Sequence, residues 1–276
     1  MLNLLLAIAS SALVSITMRF SETKIKNNIA MLSVNYIMCG LLAWAYTGFA
    51  GVLPAGAGGT LAMGGINGVL YLAGFVLLQW SIRTNGVVLS STFIKLGLLV
   101  SMVVSVLFFA ERPELWQWAG FALAVAAIVL MNYRPGEGKA GNMGGLILLL
   151  LAGGGGDAMS KIYEELGNPS RSGHFLLYTF LVAFALCTLL SMAQKQRAGK
   201  WEWLFGLLIG IPNFFSAKFL LAALKDLAAV IVYPVYSVAT ILTVTVTGIL
   251  VFREKLEKRQ WAALGMILVA LVLLNV

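Results

Sequence analysis

Charge is what this sequence has little of. Asp, Glu, Lys and Arg make up 11% of its 276 residues, against about 25% in a soluble domain. Hydrophobic residues reach 60% and mean hydropathy is +0.92. No aqueous core could hide that much apolar surface, so the solvent is lipid. Cysteine is nearly missing too. Cys39 and Cys187 both fall inside apolar segments, which excludes a disulfide framework and any zinc spacing. One histidine and no HExxH motif leave no basis for a metal or a cofactor. The glycine run Gly153-Gly154-Gly155-Gly156 is not followed by Gly-Lys-Ser/Thr, which excludes a phosphate loop. No soluble domain fits between the apolar segments. Residues 1–20 lack the basic start of a signal peptide and read as a first membrane helix. The net charge of +8 sits in short loops between apolar spans. That is the pattern of membrane orientation, not of nucleic-acid binding.

The chain is one unit made twice. The stretch VLFFAERPELWQWAGFALAVAAIVLMNY at 106–133 returns as GILVFREKLEKRQWAALGMILVALVLLNV at 248–276. At an offset of 143, Glu111 falls on Glu254, Glu114 on Glu257, Gln117 on Gln260, Trp118 on Trp261 and Asn132 on Asn275. Elsewhere the offset is 142: Arg19 lies opposite Lys161, Glu22 opposite Glu164, and Gly64/Gly68 opposite Gly206/Gly210. A fixed period marks an architecture of repeats. The glycine pairs are GxxxG motifs, which let helix backbones approach closely in lipid.

Ten apolar segments can cross about 30 Å of hydrocarbon, which takes roughly 20 residues. They are approximately 2–20, 28–49, 60–81, 87–109, 115–133, 143–163, 173–193, 202–223, 228–251 and 258–275. Each must satisfy its own backbone polar groups, so the expected fold is an all-α integral membrane protein. Turn signals join the spans: Asn27-Asn28, Pro54 with Gly56 and Gly58-Gly59, Asn85-Gly86, Pro135-Gly136 and Asn168-Pro169. The repeats run over 1–137 and 138–276 and form one transmembrane domain. Five is odd, so the second repeat enters the membrane upside down. Two inverted five-helix repeats place a site near the midplane between them. With the N-terminus outside, thirteen Lys and Arg fall in cytoplasmic loops, and only Arg112, Lys161, Arg171 and Lys225 on the other face. The positive-inside rule therefore favours both termini outside, in a multi-pass protein of the cytoplasmic membrane. Trp44, Trp80, Trp116, Trp118, Trp201, Trp203 and Trp261 lie near span ends and read as interfacial anchors.

These features resemble the EamA-like branch of the drug/metabolite transporter superfamily. The resemblance is carried by the turn Glu111…Gln117-Trp118-Ala119-Gly120, its second copy Glu254…Gln260-Trp261…Gly265, and the entry to the ninth span, Ala228-Ala229-Val230-Ile231-Val232-Tyr233-Pro234-Val235. It covers essentially the whole chain. It implies a transporter, with a substrate among amino acids, nucleotide sugars, phosphorylated metabolites, organic cations and drugs. Relatives in the superfamily are usually drawn with both termini in the cytoplasm, opposite to the charge count.

Ionisable side chains inside spans cost about 2.5–3.5 kcal/mol each at the centre, so they are functional candidates. Lys95, Asp157 and Lys218 stand out. Asp157 and Lys161 are four apart on one helix face and could pair. Alternatively Asp157 faces a cavity and couples transport to a proton or ion, with Lys95 as its partner. Lys218 could instead snorkel to the interface. The glycines before Asp157 allow either close packing or a bend. A polar and aromatic set surrounds the midplane: Asn35, Tyr36, Asn67, Tyr71, Ser91, Thr92, Asn213, His174, Tyr178, Tyr233 and Tyr236. Each alone could be interhelical glue; together they describe a wet cavity. Pro212 and Pro234 are expected to break their helices and act as hinges.

The reading that follows is a secondary transporter of a small polar metabolite, amino-acid-like compounds first, working by alternating access. Its partners are the small-molecule substrate, the lipid bilayer and a coupling proton or ion, with no nucleic acid, as a monomer or homodimer. An exporter of organic cations is the alternative within the same fold. An intramembrane lipid-modifying enzyme would need a carboxylate pair or a His constellation, and the chain offers one histidine and one deep carboxylate.

Overall fold

A computed structural model describes residues 1–132, 142–195, 197–253 and 256–274. The Pro135-Gly136 turn, Glu254, Asn275 and the 137/138 repeat boundary lie outside them. The described residues are helical, with no strand among them. The helices are α1 (Leu2–Ser21), α2 (Asn28–Tyr46), α3 (Gly58–Asn85), α4 (Val87–Lys95), α5 (Leu98–Phe108), α6 (Leu115–Asn132), α7 (Met143–Leu166), α8 (Ser172–Ala193), α9 (Lys200–Asp226), α10 (Ala229–Phe252) and α11 (Lys258–Leu274). A 3-10 turn at Pro169–Arg171 precedes α8, started by the Asn168 side chain accepting from the Ser170 N–H. Among the described residues eight spans are long and apolar enough to cross a membrane by length and composition, with α4 and α5 counted as one from Leu89 to Phe108. The shorter α6 and α11 complete ten, as two inverted five-helix repeats. Six of the seven tryptophans are more than a third exposed, as lipid-facing anchors should be.

The fourth span is present from Leu89 to Phe108, and its helix is interrupted at Leu96-Gly97. Here the N–H groups of Gly97, Leu99 and Val100 donate to carbonyls three residues back, at 3.2, 2.9 and 2.8 Å. The cause is close packing. A Cβ on Gly97 would lie 2.6 Å from the Gly154 nitrogen, and one on Gly153 2.9 Å from Ile94 Cγ1. The glycine run therefore serves α7 as a contact face, and α7 itself runs on without interruption. The expected breaks at Pro212 and Pro234 are corrected. Both prolines sit inside continuous helices, α9 and α10. Membrane helices tolerate proline because neighbouring groups re-satisfy the freed carbonyl.

The chain forms two compact units. Unit one is Met1–Leu72 with Ile162–Ala223; unit two is Ala73–Lys161 with Leu224–Val276. Each therefore draws on both sequence repeats, and the divisions fall inside α3, α7 and α9.

In unit one each GxxxG packs on a helix of the other repeat. A Cβ on Gly64 or Gly68 of α3 would lie 2.8 Å from Phe175 O or 2.5 Å from Thr179 O of α8. A Cβ on Gly206 or Gly210 of α9 would lie 2.8 Å from Met31 O or 2.8 Å from Asn35 O of α2. The partners Met31/Phe175 and Asn35/Thr179 are equivalent at a spacing of 144. At one end of the unit Glu202, 5% exposed, accepts from the N–H groups of Lys26 (2.8 Å), Asn27 (3.3 Å) and Gly199 (3.0 Å). One carboxylate thus caps the start of α2 and of its own helix α9, where backbone donors lack intrahelical partners. Glu202→Ala is expected to cost about 1–3 kcal/mol by leaving those donors unsatisfied. A lowered thermal midpoint in detergent would register the loss, and Glu202→Gln should lose less.

In unit two Glu111 does the corresponding work at α10. Its two carboxylate oxygens accept from the N–H groups of Ala229 and Val230, each at 3.0 Å. It also pairs with Lys161 at 3.0 Å, with side chains 12% and 4% exposed. The α6 and α11 repeat mates pack closely. A Cβ on Gly120 would lie 3.0 Å from Leu273 Cβ.

Candidate functional site

The polar set of unit one is organised by α2, α3, α8 and α9. The side chain of Asn35 accepts from Asn213 Nδ2 at 3.2 Å, and Asn67 Nδ2 donates to Thr179 Oγ1 at 3.3 Å. Cys39, one turn after Asn35, donates its thiol to Gly210 O at 3.3 Å. Asn35 and Asn67 are each 1% exposed. Asn35 Nδ2 and Asn67 Oδ1 nevertheless have no partner. The unit thus keeps one amide donor and one amide acceptor in reserve. Such groups cost about 1–3 kcal/mol each when left unmet.

Between these amides runs a chain of aromatic contacts. Tyr71 meets Tyr36 edge-on at 6.4 Å, Tyr36 stacks on Phe180 at 6.3 Å, Phe180 meets Phe214 at 6.4 Å, and Phe214 meets Tyr46 at 6.3 Å. Lys218 ends the chain, its Nζ 4.2 Å from the Tyr46 ring centroid. Tyr46 is the last residue of α2, so the half-buried Lys218 reaches towards a span end and makes a cation–π contact there. An apolar groove of about 300 Å³ lies beside Tyr36, walled by Gly40, Leu41, Trp44, Leu177 and Leu181.

His174 and Tyr178 are occupied elsewhere. His174 Nε2 lies 3.2 Å from Gly51 O, and the Tyr178 hydroxyl donates to Val52 O at 2.6 Å. Arg171 donates to Ala55 O at 2.7 Å and to Gly56 O. Three side chains at the start of α8 therefore hold the α2–α3 loop by its carbonyls, which have no regular structure to satisfy them. His174 Nε2 and the Tyr178 hydroxyl are thus both engaged by this loop.

The remaining candidates belong to unit two. Lys95 is the last residue of α4, at the helix break, and its side chain is exposed. Ser91 and the buried Thr92 lie one turn earlier. Asp157 follows Gly153 by four residues on α7, so it shares the face that packs against the break. It is half-buried, and among the described residues no hydrogen bond or ion pair reaches its carboxylate. Of the two alternatives for Asp157, the pairing with Lys161 is not formed: Lys161 pairs with Glu111 and lies 5.8 Å from the Phe109 ring centroid. The buried Tyr233 donates its hydroxyl to the Asp157 carbonyl at 2.5 Å, which ties α10 to α7 beside that carboxylate. Tyr236 is half-buried one turn further along.

Sequence reasoning missed Thr179, Phe180 and Phe214 because apolar and hydroxyl residues are ordinary in spans. It missed the role of Glu111 although it singled out the turn. The motif spacing was visible, but its N–H partners lie 118 and 119 residues away. Among the described residues no group of His, Cys, Asp and Glu could hold a metal ion.

A model of the EamA-like transporter family matches residues 1–133 and 140–276. An uncharacterized protein of Haemophilus influenzae is 23% identical over 204 residues, 70% of this chain and 68% of its own length. A crystal structure of a protein superposes with a TM-score of 0.72 at 16% identity, covering 99% of this chain and 94% of the other. That likeness speaks for the fold alone.

Proposed function

From the premise that the chain belongs to the EamA-like transporter family, we propose a secondary transporter that moves a small polar metabolite across the cytoplasmic membrane by alternating access, amino-acid-like compounds first. The observation that carries this reading is Asp157. A carboxylate in a span, without a partner among the described residues, beside a broken helix, is costly and marks an ion or substrate pathway. Asp157 is the coupling carboxylate in this reading, and Lys95 at the break is its functional neighbour on the same unit. The unmet amide donor of Asn35 and acceptor of Asn67 support a substrate that both gives and takes hydrogen bonds.

The test is uptake into proteoliposomes over a range of pH. Wild type should show a pH-dependent rate, and Asp157→Asn a rate that no longer responds to pH. An Asp157→Asn protein with the wild-type profile would remove the coupling role. Binding is read separately. A ligand at about 100 times its Kd should stabilise wild type by roughly 2.7 kcal/mol. It should stabilise Asn213→Leu far less, because Asn213 holds Asn35 in place.

A second reading is favoured by the aromatic chain from Tyr71 to Tyr46. Its end already holds one ammonium, that of Lys218, so the same faces suit an organic cation. Stabilisation by quaternary ammonium compounds, and not by amino acids, would favour it.

A further inference from the structure

We infer that the end of unit one where the α1–α2 and α8–α9 turns meet is a binding site for the phosphate headgroup of an anionic lipid. This goes beyond the transport reading and does not depend on it. Two ammonium groups from distant parts of the chain converge on one indole. Lys24 Nζ lies 4.6 Å and Lys200 Nζ 5.3 Å from the centroid of Trp201. The exposed Lys26 and Arg197 stand on the same two turns.

The turns are fixed to each other. Glu202 takes the N–H groups of Lys26 and Asn27, and Asn27 Nδ2 donates to Arg197 O at 3.3 Å. The cations are thus held together by backbone bonds and not by counter-ions. The buried Glu202 carboxylate is spent on three N–H groups, and Glu22 pairs with Arg19 at 3.5 Å. Among the described residues none of Lys24, Lys26, Arg197 and Lys200 has an ion pair. Four cations against the one Glu202 carboxylate leave a net positive cluster, which calls for an anion.

The surroundings select the source of that anion. Trp201 lies in the first turn of a span, at the depth where indoles meet headgroups. Leu204 and Leu208, three and seven residues after Trp201 on the same helix face and 45% and 46% exposed, give acyl chains an apolar wall beside it. A lipid phosphate can pair with the ammonium groups at this indole while its chains follow that wall. Each Lys or Arg near an anionic membrane surface strengthens binding by on the order of fivefold.

The experiment uses the full-length protein in detergent micelles doped with phosphatidylglycerol or phosphatidylcholine. Retained lipid is counted by native mass spectrometry and the thermal midpoint is followed beside it. Wild type should retain phosphatidylglycerol in preference to phosphatidylcholine. The double variant Lys24→Gln/Lys200→Gln should weaken that binding about 30-fold while its midpoint in phosphatidylcholine stays that of wild type. Lys225→Gln, at the other end of α9, should bind as wild type does. The proposal is overturned if the double variant keeps its preference, or if Lys225→Gln loses as much. It is also overturned if inorganic phosphate at millimolar concentration protects wild type as well as the lipid does, since the ligand would then be a soluble anion.

Discussion

Glu111→Ala is expected to destabilise the protein by about 3–5 kcal/mol, the usual consequence of removing one partner from a buried ion pair. Two losses add in the same direction. The Lys161 side chain, 4% exposed, keeps its charge and loses its 3.0 Å counter-ion. The N–H groups of Ala229 and Val230 lose the carboxylate that faces the positive end of α10. The pair itself need not be strongly stabilising, because desolvating two charges offsets most of their attraction. Breaking it is a different matter. The double variant Glu111→Ala/Lys161→Met should therefore recover a good part of the loss, and Glu111→Gln should fall between wild type and Glu111→Ala. Thermal unfolding in detergent of wild type, Glu111→Ala, Lys161→Met and the double variant closes this cycle, with Glu111→Gln beside it. If Glu111→Ala melts with wild type, the contact does not hold α10 in place.

Gly154→Ala is the second large effect, about 3 kcal/mol or more of destabilisation, with poor recovery of folded protein. Helix propensity alone predicts the opposite sign, since Ala is favoured over Gly by about 1 kcal/mol in a helix interior. Packing decides against it. A Cβ at this position would overlap Gly97 O, far inside van der Waals contact distance, and lie 2.8 Å from Val100 Cβ. The obstructing atom is backbone at the α4–α5 break, so no side chain can rotate away. Overpacking of this kind typically costs about 1–3 kcal/mol even against side chains. Gly265→Ala is the control in the same unit. Nothing lies within 4 Å of its added Cβ, so its stability should be unchanged or raised by up to about 1 kcal/mol. Equal melting of the two variants would mean that α7 does not need its glycine face.

These two cases show how much of the site was legible beforehand. The glycine run Gly153–Gly156 announced close packing or a bend without saying which, because the choice depends on what faces it. The break appears one helix away, at Leu96-Gly97, where the sequence offers a single glycine and no proline. Asp157 was identifiable as an expensive carboxylate, yet its i,i+4 spacing to Lys161 suggested a pair that does not form. Lys161 had a better partner, fifty residues upstream. His174 and Tyr178 share a helix face, as their spacing implied. That face meets the carbonyls of Gly51 and Val52, whose positions no periodicity reports.

By itself the sequence determined the solvent, the number of spans, the two-fold repeat and the family, because each is a property of local composition or of a fixed offset along the chain. Transfer of a span into lipid depends on the residues of that span, and a repeat is visible to subtraction. The tertiary structure alone decided the partners. Glu111 met Lys161 and α10, Glu202 met α2, and each GxxxG met a helix of the opposite repeat. Such contacts join residues fifty or more positions apart, as in Lys161 with Glu111, Lys26 with Glu202 and Asn67 with Thr179. Burial makes charges and amides demand partners, but which partner answers is set by geometry that only the folded chain supplies.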